Sequence, residues 1–586
     1  MKDTGRREMF RRGRAWALIA MAAFVGLGWK LFSIQVQQHE EYHGEASKMQ
    51  GRRWPMEAPR GNIYDRNGNP LALNLKLYSV AADPELVDHP ADIAAELEPL
   101  LRVPEASLSR TLEGAPGVRY VRLQDSVDRP AAEAIRELGC QGLIVTTQWK
   151  RAYPHGSLAA SVLGFVGRDG EGLEGVEGTL DERLAGLDGE MLVVLDGRLP
   201  RSRVQIPERT VVTKQMLPGS SVVLTLDLDI QSIAEEELAK AVEKANAAGG
   251  TAIVMDPKTG EVLALATQPG FDPNQYRQYP ETSWVNHAVV SPYEPGSTFK
   301  VVTACAAIEE GVMSHGETHQ CTGSRSIGRR SISCALHGGS RAHGTVDLDH
   351  IIIESCNTGI ATVAMAIGAD RMGRWLKRFG FGEETGIELA GESRGIVAPP
   401  EKWSQMQLAN VGFGQGIGVT PLQLLSAYCA IANGGWRVRP RVVKAITEAS
   451  GAIEHATHPE PERILSEETT VRMRRVMTKV VEEGTGKAAR IPGRLIAGKT
   501  GTAQKPTPEA GFRSGLYIGS FAGFAPADDP RIAVIVVIDE PRNGHYGSVV
   551  AAPAFRAICE RALMHLRVPP SRAAPRINVA LAEAEG

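Results

Sequence analysis

The sequence predicts an α+β protein. Its larger part reads as an α/β sandwich, an antiparallel sheet with helices packed on it, behind a membrane-spanning helix and a mixed module of short helices and strands. Three observations predict this. Two strand–turn–strand patterns, Gly249–Thr267 and Leu516–Pro541, lie far apart in the chain and carry long apolar strands. Helical patterns fill the space between and after them, at Ser297–Glu310, Thr358–Phe379, Pro421–Ala432, Glu467–Glu483 and Ala551–Leu566. An apolar run follows a basic N-terminus. The expected divisions are a basic tail (1–14), a membrane anchor (15–36), an N-terminal module (37–215), the sandwich (216–568) and a Pro-, Arg- and Ala-rich tail expected to be disordered (569–586).

The chain has 586 residues, enough for several domains, with 43% hydrophobic and 23% charged residues, an ordinary globular balance. A net charge of -3 creates no field that calls for a polyanion. With no zinc-finger spacing and no long basic stripe, nucleic-acid binding is excluded as a leading reading.

Lys2, Arg6, Arg7, Arg11, Arg12 and Arg14 precede the apolar run Ala15–Trp29. The run continues to Val36 past Lys30, which can snorkel to the interface beside Trp29. The basic flank places the N-terminus in the cytoplasm and the rest of the chain outside it. A cleaved signal peptide is the competing reading, with Gly26–Gly28 as its small-residue site, but bulky Trp29 and the apolar stretch after it favour an uncleaved anchor. The polar stretch from Gln37 to Trp54 reads as a helical stalk. "NIYDRNGNPLA" has a hairpin pattern around Asn67-Gly68. Residues 80–145 mix short helices and strands. The glycine-rich stretch Arg151–Gly186 ends in a helical pattern, and a strand leading into a helix at Gly219–Ala247 opens the regular part.

Within "SPYEPGSTFKVV" (Ser291–Val302), Ser297 follows a Pro-Gly turn, and Lys300 lies one turn further on, where an apolar helix begins. A chain this long holds about one or two S-x-x-K spacings by chance, and a serine here is most often a plain helix cap. Yet Lys300 is within reach of the Ser297 hydroxyl. Burial would lower its pKa toward that of a base, and a helix N-terminus stabilises an oxyanion. This is the arrangement of an activated nucleophile. Ser355-Cys356-Asn357 stands at the mouth of a second apolar helix. Lys499-Thr500-Gly501-Thr502 lies on a β-prone segment where Gly501 lets a ligand approach the backbone. S-x-N alone is more often a cap, and K-T-G more often a turn. In the order S-x-x-K, S-x-N, K-T-G they form the motif set of serine β-lactamases and penicillin-binding proteins.

The chain resembles a class B penicillin-binding protein, a membrane-anchored peptidoglycan D,D-transpeptidase, over nearly its whole length. "RGNIYDRNGNPLA" and "RAYPHGSLAASVLGFVG" resemble that family's N-terminal segments; "MDPKTGEVLALA", "YEPGSTFK", "GFGQGIGVTPLQ" and "YGSVVAAPAF" resemble its catalytic domain. The resemblance implies a serine β-lactamase-like transpeptidase domain on an elongated N-terminal pedestal. It implies Ser297 as acylated nucleophile, Lys300 as its base and Ser355 as proton relay. Asn357 would hold Lys300 and the substrate amide, and Lys499 would complete a positive environment. Thr500 and Thr502 would bind the terminal carboxylate, and the N–H groups of Ser297 and Thr502 would form the oxyanion hole. Cys356 stands where the motif often has Asp. No metal and no organic cofactor is implied. The implied partners are D-Ala-D-Ala stem peptides, β-lactams, a SEDS-type glycosyltransferase and divisome proteins. The absence of room for C-terminal PASTA modules, together with "FAGFAPADDPRIAVIVVIDEP", points to the division-specific FtsI type. Alternatives are an elongation-type transpeptidase, a D,D-carboxypeptidase, a β-lactam sensor or hydrolase, and a silent scaffold. The hydrolase lacks an E-x-x-L-N segment between Ser355 and Lys499.

Seven cysteines are scattered, with no dense framework. Cys321 and Cys334 lie close together, near His337 and His343. A disulfide suits an oxidising compartment, and two unpaired thiols are as well supported. A Cys/His zinc site, its spacing not a standard one, comes behind both.

Overall fold

Residues Ile532–Asp539 form a strand in which nearly every side chain is buried and apolar. Ile532, Val534, Val536 and Ile538 join one hydrophobic cluster, while Ala533, Ile535 and Val537 join another. A strand buried on both faces must lie inside a layered structure. In the computed structural model this strand is β5 of a five-stranded antiparallel sheet, with β1 (Gly249–Met255), β2 (Val262–Gln268), β3 (Ala497–Gln504) and β4 (Tyr517–Ala525), in the order β2-β1-β5-β4-β3. The structure describes residues 4–39, 51–115, 117–118, 120–140, 142–194, 211–313, 316–334, 342–457, 459–506 and 515–571.

Helices cover both faces of the sheet. On one, α1 (Leu228–Ala245) and α6 (Ala552–His565) bury Ile230, Leu238, Phe555 and Ile558 against Val254, Leu263 and Phe521. On the other lie α2 (Lys300–Glu309), α3 (Asn357–Ile367), α4 (Pro421–Ala432) and α5 (Glu467–Glu482). All twelve residues of α4 are buried, and a capping box at Thr420 and Gln423 satisfies its N-terminus. The expected sandwich and its helices are present. The long pattern Thr358–Phe379 is broken at Gly368 into two helices, the second being Ala369–Arg378.

The chain separates into two compact units. One comprises Met1–Pro59, Leu75–Lys150 and Gly186–Leu217; the other comprises Arg60–Asn74, Arg151–Ala185 and Pro218–Gly586. In the first, Thr4–Phe32 is helical, and Arg11–Gln37 is long and apolar enough to cross a membrane, with mean hydropathy 1.8. The helical stalk is corrected in part. Gly51–Met56 is a strand paired with Gly189–Val194, where Pro55 opposes helix and is tolerated on a sheet edge. Residues 40–50 of the stalk, and residues 572–586 of the tail, lie outside the described residues. Helices Pro90–Leu101, Glu105–Glu113 and Arg129–Glu137 bury Leu97, Leu108, Leu112 and Ile135 against Val80 and Leu123.

In the second unit the hairpin around Asn67-Gly68 forms as its pattern predicts. Buried Asp65 accepts the N–H groups of Asn67 and Asn69, each at 2.8 Å. Ile63–Tyr64 then runs parallel to Ser221–Leu224. The carboxylate of Glu177, 0% exposed, holds Arg60 at 3.0 Å and Arg151 at 2.6 Å. Arg60 also reaches Asp181, and Arg151 reaches the Gly61 carbonyl. The two arginine-led segments 60–72 and 151–167 therefore meet on one buried acid.

Candidate active site

Ser297 sits inside a single 3₁₀ turn, Gly296–Phe299, which runs directly into α2. The residue in the cap position is Pro295, so the serine is not spent as a helix cap. Among the described residues its hydroxyl has no hydrogen-bond partner, and the side chain is partly open to solvent. The turn itself is anchored firmly. The Gly296 N–H donates to the Gly414 carbonyl at 2.9 Å, and the Tyr428 hydroxyl donates to the Thr298 carbonyl at 2.7 Å. Gly296 has φ +55°, and a Cβ there would lie 2.9 Å from the Thr502 carbonyl oxygen. Glycine thus lets the serine turn press against the edge strand β3.

Lys300 is fully buried. Its Nζ donates to the Ser355 carbonyl at 2.6 Å, to Asn357 Oδ1 at 2.6 Å and to Ser355 Oγ at 3.1 Å. Removal from water lowers its pKa to about 8, opposed by the nearby Cys356 and Cys334 sulfurs. Both side chains named from S-x-N are therefore gathered on the nitrogen of Lys300. Ser355 reaches this place in a left-handed backbone conformation, φ +60°. For a residue with a Cβ, such a conformation costs about 1–3 kcal/mol and collects at functional sites. Cys356 follows as the N-cap of α3, its sulfur accepting the Gly359 N–H at 3.3 Å.

Lys499 is also fully buried, on β3. Its Nζ lies 3.3 Å from the hydroxyls of Thr485 and Thr500. Burial lowers its pKa well below the usual lysine value, and the charge of Lys300 lowers it further. Thr500 Oγ1 is 3.0 Å from Thr485 Oγ1. Thr502 Oγ1 accepts the Gly547 N–H at 3.1 Å, which leaves its own proton free to donate. Gly501 faces inward: a Cβ there would meet Ser520 Oγ at 2.3 Å and the Pro295 carbonyl at 2.9 Å. Its missing side chain serves the packing of β3 on the serine turn.

The structure thus joins Lys300 to Ser355 and Asn357, and Lys499 to Thr500, while among the described residues the Ser297 hydroxyl makes no hydrogen bond to any of them. Sequence reasoning missed Tyr428 and Thr485, which act through hydroxyls and carry no local signature; Gly414 and Gly547 lie in segments that resemble the family's catalytic domain, but their roles, through a carbonyl and an N–H, were not read.

A partly exposed serine on a turn against the edge strand, with two buried lysines in a sheet sandwiched by helices, is the arrangement expected of a serine acyltransferase of the penicillin-interacting class. The family profiles agree. "Penicillin binding protein transpeptidase domain" matches residues 250–560, and "Penicillin-binding Protein dimerisation domain" matches residues 55–224. The chain is 32% identical to stage V sporulation protein D of Bacillus subtilis, over 95% of this chain and 86% of that one. It is 30% identical to peptidoglycan D,D-transpeptidase FtsI of Escherichia coli, over 94% and 91%. A crystal structure of penicillin-binding protein 3 of Mycobacterium tuberculosis, complexed with aztreonam, superposes with a TM-score of 0.68 at 32% identity, over 89% of this chain and 100% of that one. The chain belongs to the class B penicillin-binding proteins, the peptidoglycan D,D-transpeptidases.

Proposed function

We propose that this transpeptidase works at the division septum, cross-linking stem peptides through an ester on Ser297. The observation that carries the chemical reading is Lys300 Nζ, buried one turn after Ser297 and held by Ser355 and Asn357. In the first step neutral Lys300 takes the Ser297 proton, and Oγ attacks the carbonyl of the penultimate D-Ala. The N–H groups of Ser297 and Thr502 receive the oxyanion. The C–N bond breaks, and the departing D-Ala amine takes a proton by way of Ser355. Lys499, Thr500 and Thr502 bind the terminal carboxylate, the lysine through its charge and the threonines through their hydroxyls. In the second step an amine of a neighbouring stem attacks the ester, an amide forms and the proton returns to Ser297 Oγ. A β-lactam would stop at the first step.

The septal assignment rests on likeness to the FtsI type. The membrane helix, with its basic N-terminal flank, supports a cytoplasmic N-terminus and an extracytoplasmic catalytic unit. The same likeness supports a polytopic SEDS-type glycosyltransferase and divisome proteins as partners, met through the helix and the N-terminal module.

Ser297→Ala is expected to abolish covalent labelling by a fluorescent penicillin without loss of the cooperative melt; persistent labelling would remove Ser297 from its role. Donor and acceptor stem peptides separate the chemistries, since release of D-Ala without a cross-linked product would make the enzyme a carboxypeptidase. A tagged copy along the lateral wall, rather than at mid-cell, would refute the septal role.

A further inference from the structure

Cys321, Cys334, His343 and Cys356 converge on one point beside the S-x-N turn. One ligand atom from each lies within 4.8 Å of all the others. Cys321 Sγ and Cys334 Sγ are 3.7 Å apart, Cys334 Sγ and Cys356 Sγ are 3.8 Å apart, and His343 Nδ1 is 3.4 Å from Cys321 Sγ. All three cysteines are free thiols. Four bonds of about 2.3 Å to sulfur and 2.0 Å to nitrogen, arranged tetrahedrally, give S···S edges of about 3.8 Å and S···N edges of about 3.5 Å. These three separations match such edges, and the remaining ones lie within 4.8 Å. His337, the other histidine near these cysteines in the sequence, lies outside the described residues.

We propose that these four residues form a structural Cys₃His zinc site. Three sulfurs and one imidazole, closed and tetrahedral, suit zinc among divalent ions. A disulfide between Cys321 and Cys334 would use two of the four groups and leave Cys356 and His343 converging for no purpose. The surroundings suit metal-bound thiolates. The Thr358 hydroxyl donates to Cys321 Sγ at 3.2 Å, and the Gly359 N–H donates to Cys356 Sγ. The four ligands come from four places: the end of strand His319–Cys321, the residue after Arg330–Ser333, the residue before Gly344–Val346, and the cap of α3. Those strands form only two-stranded ribbons, which are marginal alone. A zinc ion would staple them to α3. Binding exchanges three thiol protons for one Zn²⁺.

The site deepens the proposed mechanism, because Cys356 lies between Ser355 and Asn357. Zinc would fix the turn that presents both groups to Lys300. This consequence rests on the assigned roles of those residues; the metal site does not.

The test is metal analysis of the full chain in detergent, purified without chelator, followed by cobalt(II) replacement. Expected are one equivalent of zinc per chain and the thiolate-to-cobalt absorption of a tetrahedral centre. Both should be lost in Cys321→Ser and in His343→Ala, the latter checked for a cooperative melt. Thr358→Val should bind zinc about 10–100-fold more weakly. Zinc content is read independently of penicillin labelling, so an inactive Ser297 would leave this result standing. Wild type that holds no zinc and takes up none after reduction overturns the proposal. So does a native disulfide among these cysteines in a peptide map, or zinc retained undiminished in both ligand variants.

Discussion

At the scale of single residues, Lys300, the proposed base, should set the pH response. Its folded-state pKa of about 8 lies below the roughly 10.4 of a solvated lysine. Below pH 8 it is increasingly protonated and cannot accept the Ser297 proton. The rate of acylation by a β-lactam should therefore rise about tenfold per pH unit up to pH 8 and then level off. Stopped-flow acylation from pH 6 to 10 measures this, and a rate that falls with pH would exclude Lys300 as the base. The same shift has a stability sign. Between about pH 8 and 10.4 the unfolded chain binds more protons at this residue than the folded one, so its contribution to stability increases with pH across that window. Ser355 offers a second test. Its φ of +60° favours glycine. Ser355→Gly should melt at or above Ser355→Ala, while both lose acylation by about 10²–10⁴-fold. A lower melt for the glycine variant would mean that the backbone there carries no strain.

At the scale of elements, the active site is a set of close approaches between a turn, a helix cap and a strand. Gly501→Ala forces a methyl into Ser520 and Pro295. It should lower both melting temperature and acylation, whereas Thr500→Ala should chiefly weaken recognition of a carboxylate-bearing ligand. Calorimetry beside labelling kinetics separates the two. The buried acid Glu177 is a second such meeting point. Glu177→Ala leaves Arg60 and Arg151 without their carboxylate, a loss of about 3–5 kcal/mol, read as a fall in the denaturation midpoint of the unit that contains them. The elements themselves were legible: β1, β2, β4 and β5 announce themselves by apolar runs and turn residues, and α2 to α6 by their apolar patterns. The motifs were legible because their residue types are rare in that order. What could not be read was which backbone groups hold them. Tyr428 lies far from Thr298 in sequence, and its buried hydroxyl looks like any core tyrosine. The convergence of Cys356 with Cys321, Cys334 and His343 was hidden for the same reason. No local spacing tells that two ribbons fold back onto a helix cap.

At the scale of the whole molecule, the N-terminal helix fits a single-pass anchor. Deleting residues 1–36 should move the protein from membrane to soluble fractions while penicillin labelling persists, as fractionation would show. The compact catalytic unit is assembled from three separate stretches of chain, with Arg60–Asn74 and Arg151–Ala185 built into it. A ribosome delivers those two stretches long before Ser221–Leu224, the strand that Ile63–Tyr64 pairs with. During synthesis, the early pieces must wait with their apolar residues unpartnered until the rest of the unit arrives. Synthesis of this chain is therefore a period of exposure. A protein made in this order has most need of a holding chaperone in the interval between its second segment and its first catalytic strand.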